Sequence, residues 1–412
     1  MPSNYGAITT KFKLDDQDIG DIYVTRDFLL DKYPNLADVV RSATMFSSGS
    51  IANSQLMTLI ANTSSPTIQS RDNNKWKKLA SGGPANSRHK GAIKTDGTLW
   101  MWGLNNVGQL GDGSTTNRNL VNITVNSPGW LDISCGSDFS VGLNGLLTLD
   151  PVVFVTGNNL YGQLSSGVGN NVTSWTGAGS TLNLLSPVSV SCGGNFTFLL
   201  SANGQLSGVG LNTSGELGDG TRVNKSSPVQ TAAGGTWKKV SSGTGHTVAI
   251  KTDGTLWSWG SGNSGQLGDG TLTSKSSPVQ VSGGGTDWKQ VTCAGTSSFA
   301  IKTDGSLWSW GGNQFGGLGN GSTSSRSTPG ETETGGTNWK SIATSGRHCA
   351  AIKTDGTLWT WGDNSSGQCG DGTTVSKSSP SQTISGGTDW KFAAAMLQAT
   401  HIVKDTTENL WL

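Results

Sequence analysis

The sequence predicts an all-β fold: a seven-bladed β-propeller closed by an N-terminal strand, with a non-repeat N-terminal extension. Three observations carry this expectation. Tryptophans recur at 51-residue intervals at Trp237, Trp288, Trp339 and Trp390, and a fixed period of that size marks a solenoid or a propeller. Each interval holds nearly the same words, as in His246 to Gly260, HTVAIKTDGTLWSWG. The composition, 61 glycines and 33% hydrophobic residues in 412, suits many short strands joined by tight turns.

Within one unit, Thr247 to Lys251 alternates as a strand should, and Asp253-Gly254 supplies the positive-φ tolerance of a two-residue hairpin turn. Leu256 to Trp259 is the return strand. Period-two geometry puts Leu256 and Ser258 on one face and Trp257 and Trp259 on the other. Both faces are therefore occupied, as in a stack of blades, with Trp257 and Trp259 expected between blades.

The units open at Trp76, Trp130, Pro187, Trp237, Trp288, Trp339 and Trp390, the third being placed through Cys192-Gly193-Gly194-Asn195-Phe196. The last lacks the GQLGDGT loop and the strand after it. Complete units are followed by a segment of the type Ser276-Ser277-Pro278-Val279-Gln280, and a further copy stands upstream as Ser64-Ser65-Pro66-Thr67-Ile68-Gln69. Residues 64–70 are thus expected to pair with the last blade, which would remove two exposed sheet edges. The domains expected are 1–63, an attachment segment, and 64–412, the propeller.

In the extension, Asp15 to Asp21 is acidic, and Val24 to Tyr33 fits a short helix capped by Thr25 and stopped before Pro34. Residues 42–65 are rich in Ser, Thr and Asn but carry Leu56, Met57, Leu59 and Ile60. This reads as a segment ordered against something else, with Phe28, Tyr33, Leu56 and Met57 as partner contacts; simple disorder is the alternative.

Charge is balanced, 28 Lys+Arg against 27 Asp+Glu, without a basic stripe along the sequence, so nucleic acid is not the expected partner. Lys77-Lys78 and Lys238-Lys239 read as solvated strand ends. The absence of a long apolar run argues against a membrane span or Sec export. Five cysteines without a CxxC pair do not suggest a disulfide framework or a zinc site. Cys135, Cys192 and Cys293 share one slot of the repeat and read as small core fillers.

His89, His246 and His348 also share a slot, which points to a structural hydrogen bond, expected to a turn, rather than to catalysis. The pairs Asp112-Gly113, Asp219-Gly220, Asp269-Gly270 and Asp371-Gly372 lack the alternating acids of a calcium loop and read as turns. Gly208-Val209-Gly210 does not open a helix, so it is no nucleotide fingerprint. The sequence therefore offers no catalytic residue, cofactor or metal, and the expectation is a protein that is not an enzyme.

Departures from the repeat are more telling. Unit two has Phe154 and Thr156 where others pair tryptophans, and unit three has Ser207 and Val209. Between these units the chain is lengthened by residues 165–184, which carry Trp175. Trp175 reads equally as a partner-binding anchor on a loop or as a ring folded back to plug the side of blade two or three.

The pattern G-x-x-H-T-x-A-I-K-x-D-G-x-L-W-x-W-G-x-N-x-x-G-Q-L-G-D-G-T resembles the repeat of the regulator of chromosome condensation family, whose members form seven-bladed propellers. The resemblance spans roughly 64–412 and is sharpest in units one, four, five and six. It implies a propeller but leaves function open, since such propellers serve as exchange factors for a small GTPase, as enzyme inhibitors and as parts of large ligases.

Residues 18–36, DIGDIYVTRDFLLDKYPNL, are similar to structural proteins of tailed marine bacteriophages. The expectation is accordingly a structural or adhesion subunit of a larger assembly, a virion component held by 1–63. Its partners would be capsid or tail proteins and a host-surface ligand, with neither nucleic acid nor membrane. The alternatives are a propeller-type enzyme inhibitor or a guanine-nucleotide exchange factor-like regulator, in the cytoplasm or at the cell surface.

Overall fold

A computed structural model describes residues 8–14, 17–24, 76–81, 89–125, 128–145, 151–167, 169–178, 186–334, 336–384, 386–396, 399–404 and 410–411. The chain divides into two compact units, 1–70 and 71–412. In the first, β1 (Ile8–Leu14) pairs antiparallel with β2 (Gln17–Val24), where the sequence reading had placed only an acidic run. Val24, the first residue of the helix expected over Val24 to Tyr33, is instead the last of β2; the rest of that helix, the contacts Phe28, Tyr33, Leu56 and Met57, and the closing strand 64–70 lie outside the described residues.

The second unit is a β-propeller. Blade one holds β3 (Trp76–Ser81), β4 (His89–Lys94), β5 (Leu99–Gly103) and β6 (Arg118–Val125). Blade two holds β7 (Trp130–Cys135), β8 (Phe139–Asn144), β9 (Val152–Gly157) and β10 (Val172–Gly177). Blade three follows with β11 (Pro187–Cys192), β12 (Phe196–Ser201), β13 (Leu206–Gly210) and β14 (Lys225–Gln230). Blade four is β15 (Trp237–Ser242), β16 (His246–Lys251), β17 (Leu256–Gly260) and β18 (Lys275–Gln280).

Blade five is β19 (Trp288–Ala294), β20 (Ser297–Lys302), β21 (Leu307–Gly311) and β22 (Arg326–Glu331), and blade six β23 (Trp339–Thr344), β24 (His348–Lys353), β25 (Leu358–Gly362) and β26 (Lys377–Gln382). A three-stranded sheet of β27 (Trp390–Met396), β28 (Ala399–Lys404) and β29 (Leu410–Trp411) completes the set. The count of seven blades is corrected accordingly: among the described residues six blades have four strands, and those of the seventh unit form a three-stranded sheet.

The first strand of each sheet packs on the first strand of the next, and β27 packs on β3. The first strands are thus the innermost, and the fourth strands are the edges. Edge strands β14, β18 and β26 carry Pro228, Pro278 and Pro380, where a missing N–H costs no ladder bond and discourages further pairing.

Two local expectations are revised. The Asp-Gly hairpin is a three-residue loop: Lys251 N–H donates to Thr255 O at 3.0 Å, Gly254 N–H to Lys251 O at 3.0 Å, and only Gly254, at φ +83°, is left-handed. This is a turn followed by a glycine bulge rather than a two-residue turn. The Asp253 carboxylate, accepting from Thr255 N–H at 2.9 Å, fixes the return strand. The other revision concerns the 165–184 insertion, which is not a loop throughout, because it supplies β10 as the fourth strand of blade two.

Blades adhere through a repeated seam. Trp259 is fully buried, its ring 5.8 Å from Phe198 of blade three and 5.5 Å from Trp237. It lies so close over Gly218 (φ +66°) that a side chain there would strike the indole. Trp257, by contrast, is only half-buried: Lys251 Nζ stands between its ring, at 4.2 Å, and that of Trp237, at 5.2 Å. Lys94, Lys302 and Lys353 make the same cation–π sandwich in blades one, five and six.

Candidate protein-interaction surfaces

The residues that chemistry would use are spent on the seam. His246 Nε2 lies 2.9 Å from Ser298 Oγ of the next blade, and that hydroxyl donates to Gln266 O at 2.8 Å. With its proton so committed, Ser298 can only accept from the imidazole, so His246 is the Nε2–H tautomer. His89 with Ser140 and His348 with Thr400 repeat the arrangement at 2.9 Å, with Gln109 O and Gln368 O as the terminal acceptors. The hydrogen bond expected to a turn instead runs to a hydroxyl of the next blade. Burial holds the imidazoles neutral, pushing His89 and His348 down to about 4 and His246 to about 3.

The same loop carbonyls bind the tryptophans. Nε1–H of Trp259, Trp310 and Trp361 donates to Glu216 O, Gln266 O and Gly317 O at 2.9, 2.9 and 2.7 Å. Thr197, Thr247 and Cys349 fill the hydroxyl position at other seams, donating to Gln163 O, Glu216 O and Gly317 O. The five cysteines are free and buried. Burial pushes Cys135 and Cys293 up to about 12, so neither is a poised nucleophile.

In the loops between third and fourth strands, Asp219 Oδ1 accepts from Thr221 N–H at 2.9 Å and Asn212 Nδ2 at 3.0 Å, while Oδ2 faces Lys225 Nζ at 3.3 Å. Burial opposes ionisation, yet these partners together hold the carboxyl below its ordinary value. The Asp-Gly pair therefore builds a loop and spends its oxygens inside it. Asn212 is the hub: its carbonyl accepts Leu217 N–H at 2.9 Å and its amide reaches Val223 O at 3.2 Å. Asn364 does the same for Cys369 and Val375.

These pinned loops display apolar side chains. Val223, Leu272 and Val375 are 64%, 61% and 65% exposed, and Leu160 of the corresponding blade-two loop is 58% exposed. They share the end of the propeller where third strands finish and second strands begin, as the pairing His246↔Gly260 shows. A rigid backbone presenting separated apolar tips is the chemistry of a protein-binding face. The sequence reading missed it because it sought aromatic anchors; the signal was the apolar residue three or four places after Asp219, Asp269 and Asp371.

At the opposite end, a bulge recurs at the start of every innermost strand. Pairing skips one residue between Trp237↔Lys251 and Lys239↔Ile250, and likewise in the six other sheets. The skipped residues are Lys77, Leu131, Val188, Lys238, Lys289, Lys340 and Lys391.

Trp175 is not a free anchor. It stands on β10 with its ring 5.0 Å from Trp130, and it covers Gly111 of blade one as Trp259 covers Gly218. It folds back as one of its two readings had it, but into the seam between blades one and two.

Repeated blades around a closed ring of inner strands, with pinned loops that present apolar side chains at one end, define a repeat propeller. The regulator of chromosome condensation (RCC1) repeat matches at residues 96–143, 203–250, 253–301, 304–352 and 355–394, and a second form of the same repeat at 188–216, 237–266 and 339–368. The chain belongs to the RCC1 repeat family.

Among curated relatives, the human E3 ubiquitin-protein ligase HERC2 is 37% identical over 86 residues, 21% of this chain and 2% of the ligase. A Xenopus laevis RCC2 homolog is 29% identical over 133 residues, 32% of this chain and 24% of the homolog. The chain thus spans only a small part of either relative. In fold it is similar to human WBSCR16, with a TM-score of 0.67 at 24% identity over 80% of this chain and 85% of that one. Prp20p from Saccharomyces cerevisiae gives 0.67 at 20% identity over 82% and 84%.

Proposed function

We propose that the chain is a protein-binding propeller that regulates the protein it binds, in the manner of an exchange factor for a small GTPase, and that it carries out no covalent chemistry of its own. The observation that carries this reading is the loop end, where Leu160, Val223, Leu272 and Val375 stand exposed and the loops of Leu160, Val223 and Val375 are locked by buried Asn159, Asn212 and Asn364. Prp20p, similar in fold, is described as binding Gsp1p and histones, and as yeast RCC1 it has been solved bound to Kap60. Family membership therefore favours the regulator alternative over the virion component, whose support is confined to the resemblance of residues 18–36.

The test is release of a fluorescent GDP analogue from a panel of small GTPases by the full chain and by the variant V223D/L272D/V375D. Acceleration by the parent and its loss in the variant support the reading. A flat response across the panel, with unchanged protein capture by the variant, overturns it.

We further propose that the ring is completed to seven four-stranded blades by residues 64–70, on the strength of their likeness to the Ser276 to Gln280 segment. Deleting 64–70 should expose an edge and cause aggregation. A soluble monomer with an unchanged melting temperature would sink this closure.

A further inference from the structure

The bulge residues carry an inference of their own. The inner strands touch one another in succession around the ring, so positions about 51 residues apart in the chain become neighbours in space. Lys238, Lys289 and Lys340 come from consecutive blades, with Lys77 further round the same ring. All four side chains are exposed, and none takes part in an ion pair among the described residues. Lys78, one place further on, is instead neutralised by Asp132.

In blades two and three the same position is apolar: Leu131 is 45% exposed and Val188 54%. One end of the propeller therefore presents a lysine arc that meets an apolar pair. Four carboxylates at this end lie further out, at the hairpin tips, where Asp96, Asp253, Asp304 and Asp355 accept hydrogen bonds from Thr98, Thr255, Ser306 and Thr357, while Asp389 stands one place before the inner strand of the last sheet. Asp287, next to blade five's bulge, faces Lys302 Nζ at 3.2 Å.

We propose that this ring is a second interaction surface, opposite the loop end, and that its partner is a short acidic protein segment bearing apolar residues. Lysine ammonium groups at bulges, each with its own solvent, attract carboxylates by charge and leave the fine geometry open. Leu131 and Val188 supply what a purely anionic ligand would not use. The outer acidic tips repel a long polyanion lying across the whole end, and the half-buried indoles at this end, Trp100, Trp257, Trp308 and Trp359, already carry a lysine ammonium over the ring, so a nucleic acid fits less well.

The experiment is fluorescence anisotropy of the full chain with a labelled dodecapeptide of glutamates around a central Leu-Leu pair. An all-glutamate dodecapeptide, a twelve-nucleotide oligothymidylate and inorganic tripolyphosphate serve as competitors. The expected result is salt-sensitive binding, at least ten-fold weaker in K238E/K289E/K340E and in L131S/V188S, with the all-glutamate peptide at least ten-fold the poorer competitor.

All substituted side chains are exposed, and an unchanged melting temperature establishes that both variants fold. No binding, equal binding by either variant, or equal competition by the oligonucleotide or tripolyphosphate would overturn the proposal. The loop-tip variant V223D/L272D/V375D should bind the peptide normally, so failure of this inference is distinguishable from failure of the exchange-factor reading.

Discussion

Blade four and blade two solve the same packing problem with different sequences. In blade four the third strand supplies Trp259, whose ring fills the seam over Gly218 and whose Nε1–H donates to Glu216 O. In blade two the third strand has Thr156, whose hydroxyl donates to Gly108 O at 2.7 Å, while the indole arrives from the fourth strand as Trp175 over Gly111. Volume and hydrogen bond, combined in one side chain in blade four, are divided between two in blade two. The repeat has decayed in its letters, but its seam has not: an interior this dense tolerates a change of donor strand more readily than a void.

The largest expected effect tests that equivalence. Trp259→Ala should cost roughly 3–5 kcal/mol in chemical denaturation, since its ring is fully buried. Trp175→Ala should cost less, about 1–3 kcal/mol, because the ring is half-buried and its Nε1 has no hydrogen-bond partner among the described residues. A Trp175 loss below about 0.5 kcal/mol would break the comparison and return that ring to the role of an exposed anchor.

The histidine seams come next. Above the ordinary imidazole pKa of 6.5 both folded and unfolded histidines are neutral, but as pH falls only the unfolded ones take up protons until about 4 or 3 is reached. Stability is therefore complete above about pH 6.5 and drains below it, by on the order of 2 kcal/mol per histidine at about pH 4.5. Phe139 and Phe196 occupy the histidine position in blades two and three. Replacing His89, His246 and His348 by Phe should flatten the melting temperature between pH 6.5 and 4.5, and an unaltered slope would place the acid sensitivity elsewhere.

The smallest effect belongs to the surface. Lys275→Ala removes the 3.4 Å pair with Asp269, and it should change stability by less than about 1 kcal/mol. A larger loss would mean that the ion pair, rather than the Asx turn on Thr271, holds the loop.

Much of this architecture was readable because period-two alternation and the 51-residue repeat are local signals. The strand pairs, the burial of Trp259 and the structural nature of the cysteines and histidines followed from them. What escaped was set between units. The hydroxyl that meets each histidine lies in the next blade, although the run of Ser140, Thr197, Thr247, Ser298 and Thr400 was available as its sign. The lysine arc looked like scattered strand ends because its members are a full repeat apart. β10 was hidden because its unit departs from the Ser-Ser-Pro-Val-Gln wording, and Phe28, Tyr33, Leu56 and Met57 remain sequence expectations.

The packing of β27 on β3 bears on how the chain acquires its structure. Nearly every other element contact joins strands of one blade or of the next, so six seams can form progressively, each closing a loop of about one repeat. The seam between the last and first blades must bring together segments separated by most of the chain. Its entropic toll is the heaviest, and nothing rewards it until its neighbours are in place. Folding should therefore run as an open arc that becomes a circle in its final step. In pulsed hydrogen exchange, amides of β16 and β20 should gain protection before those of β4 and β28, and simultaneous protection of all four would show a single concerted event.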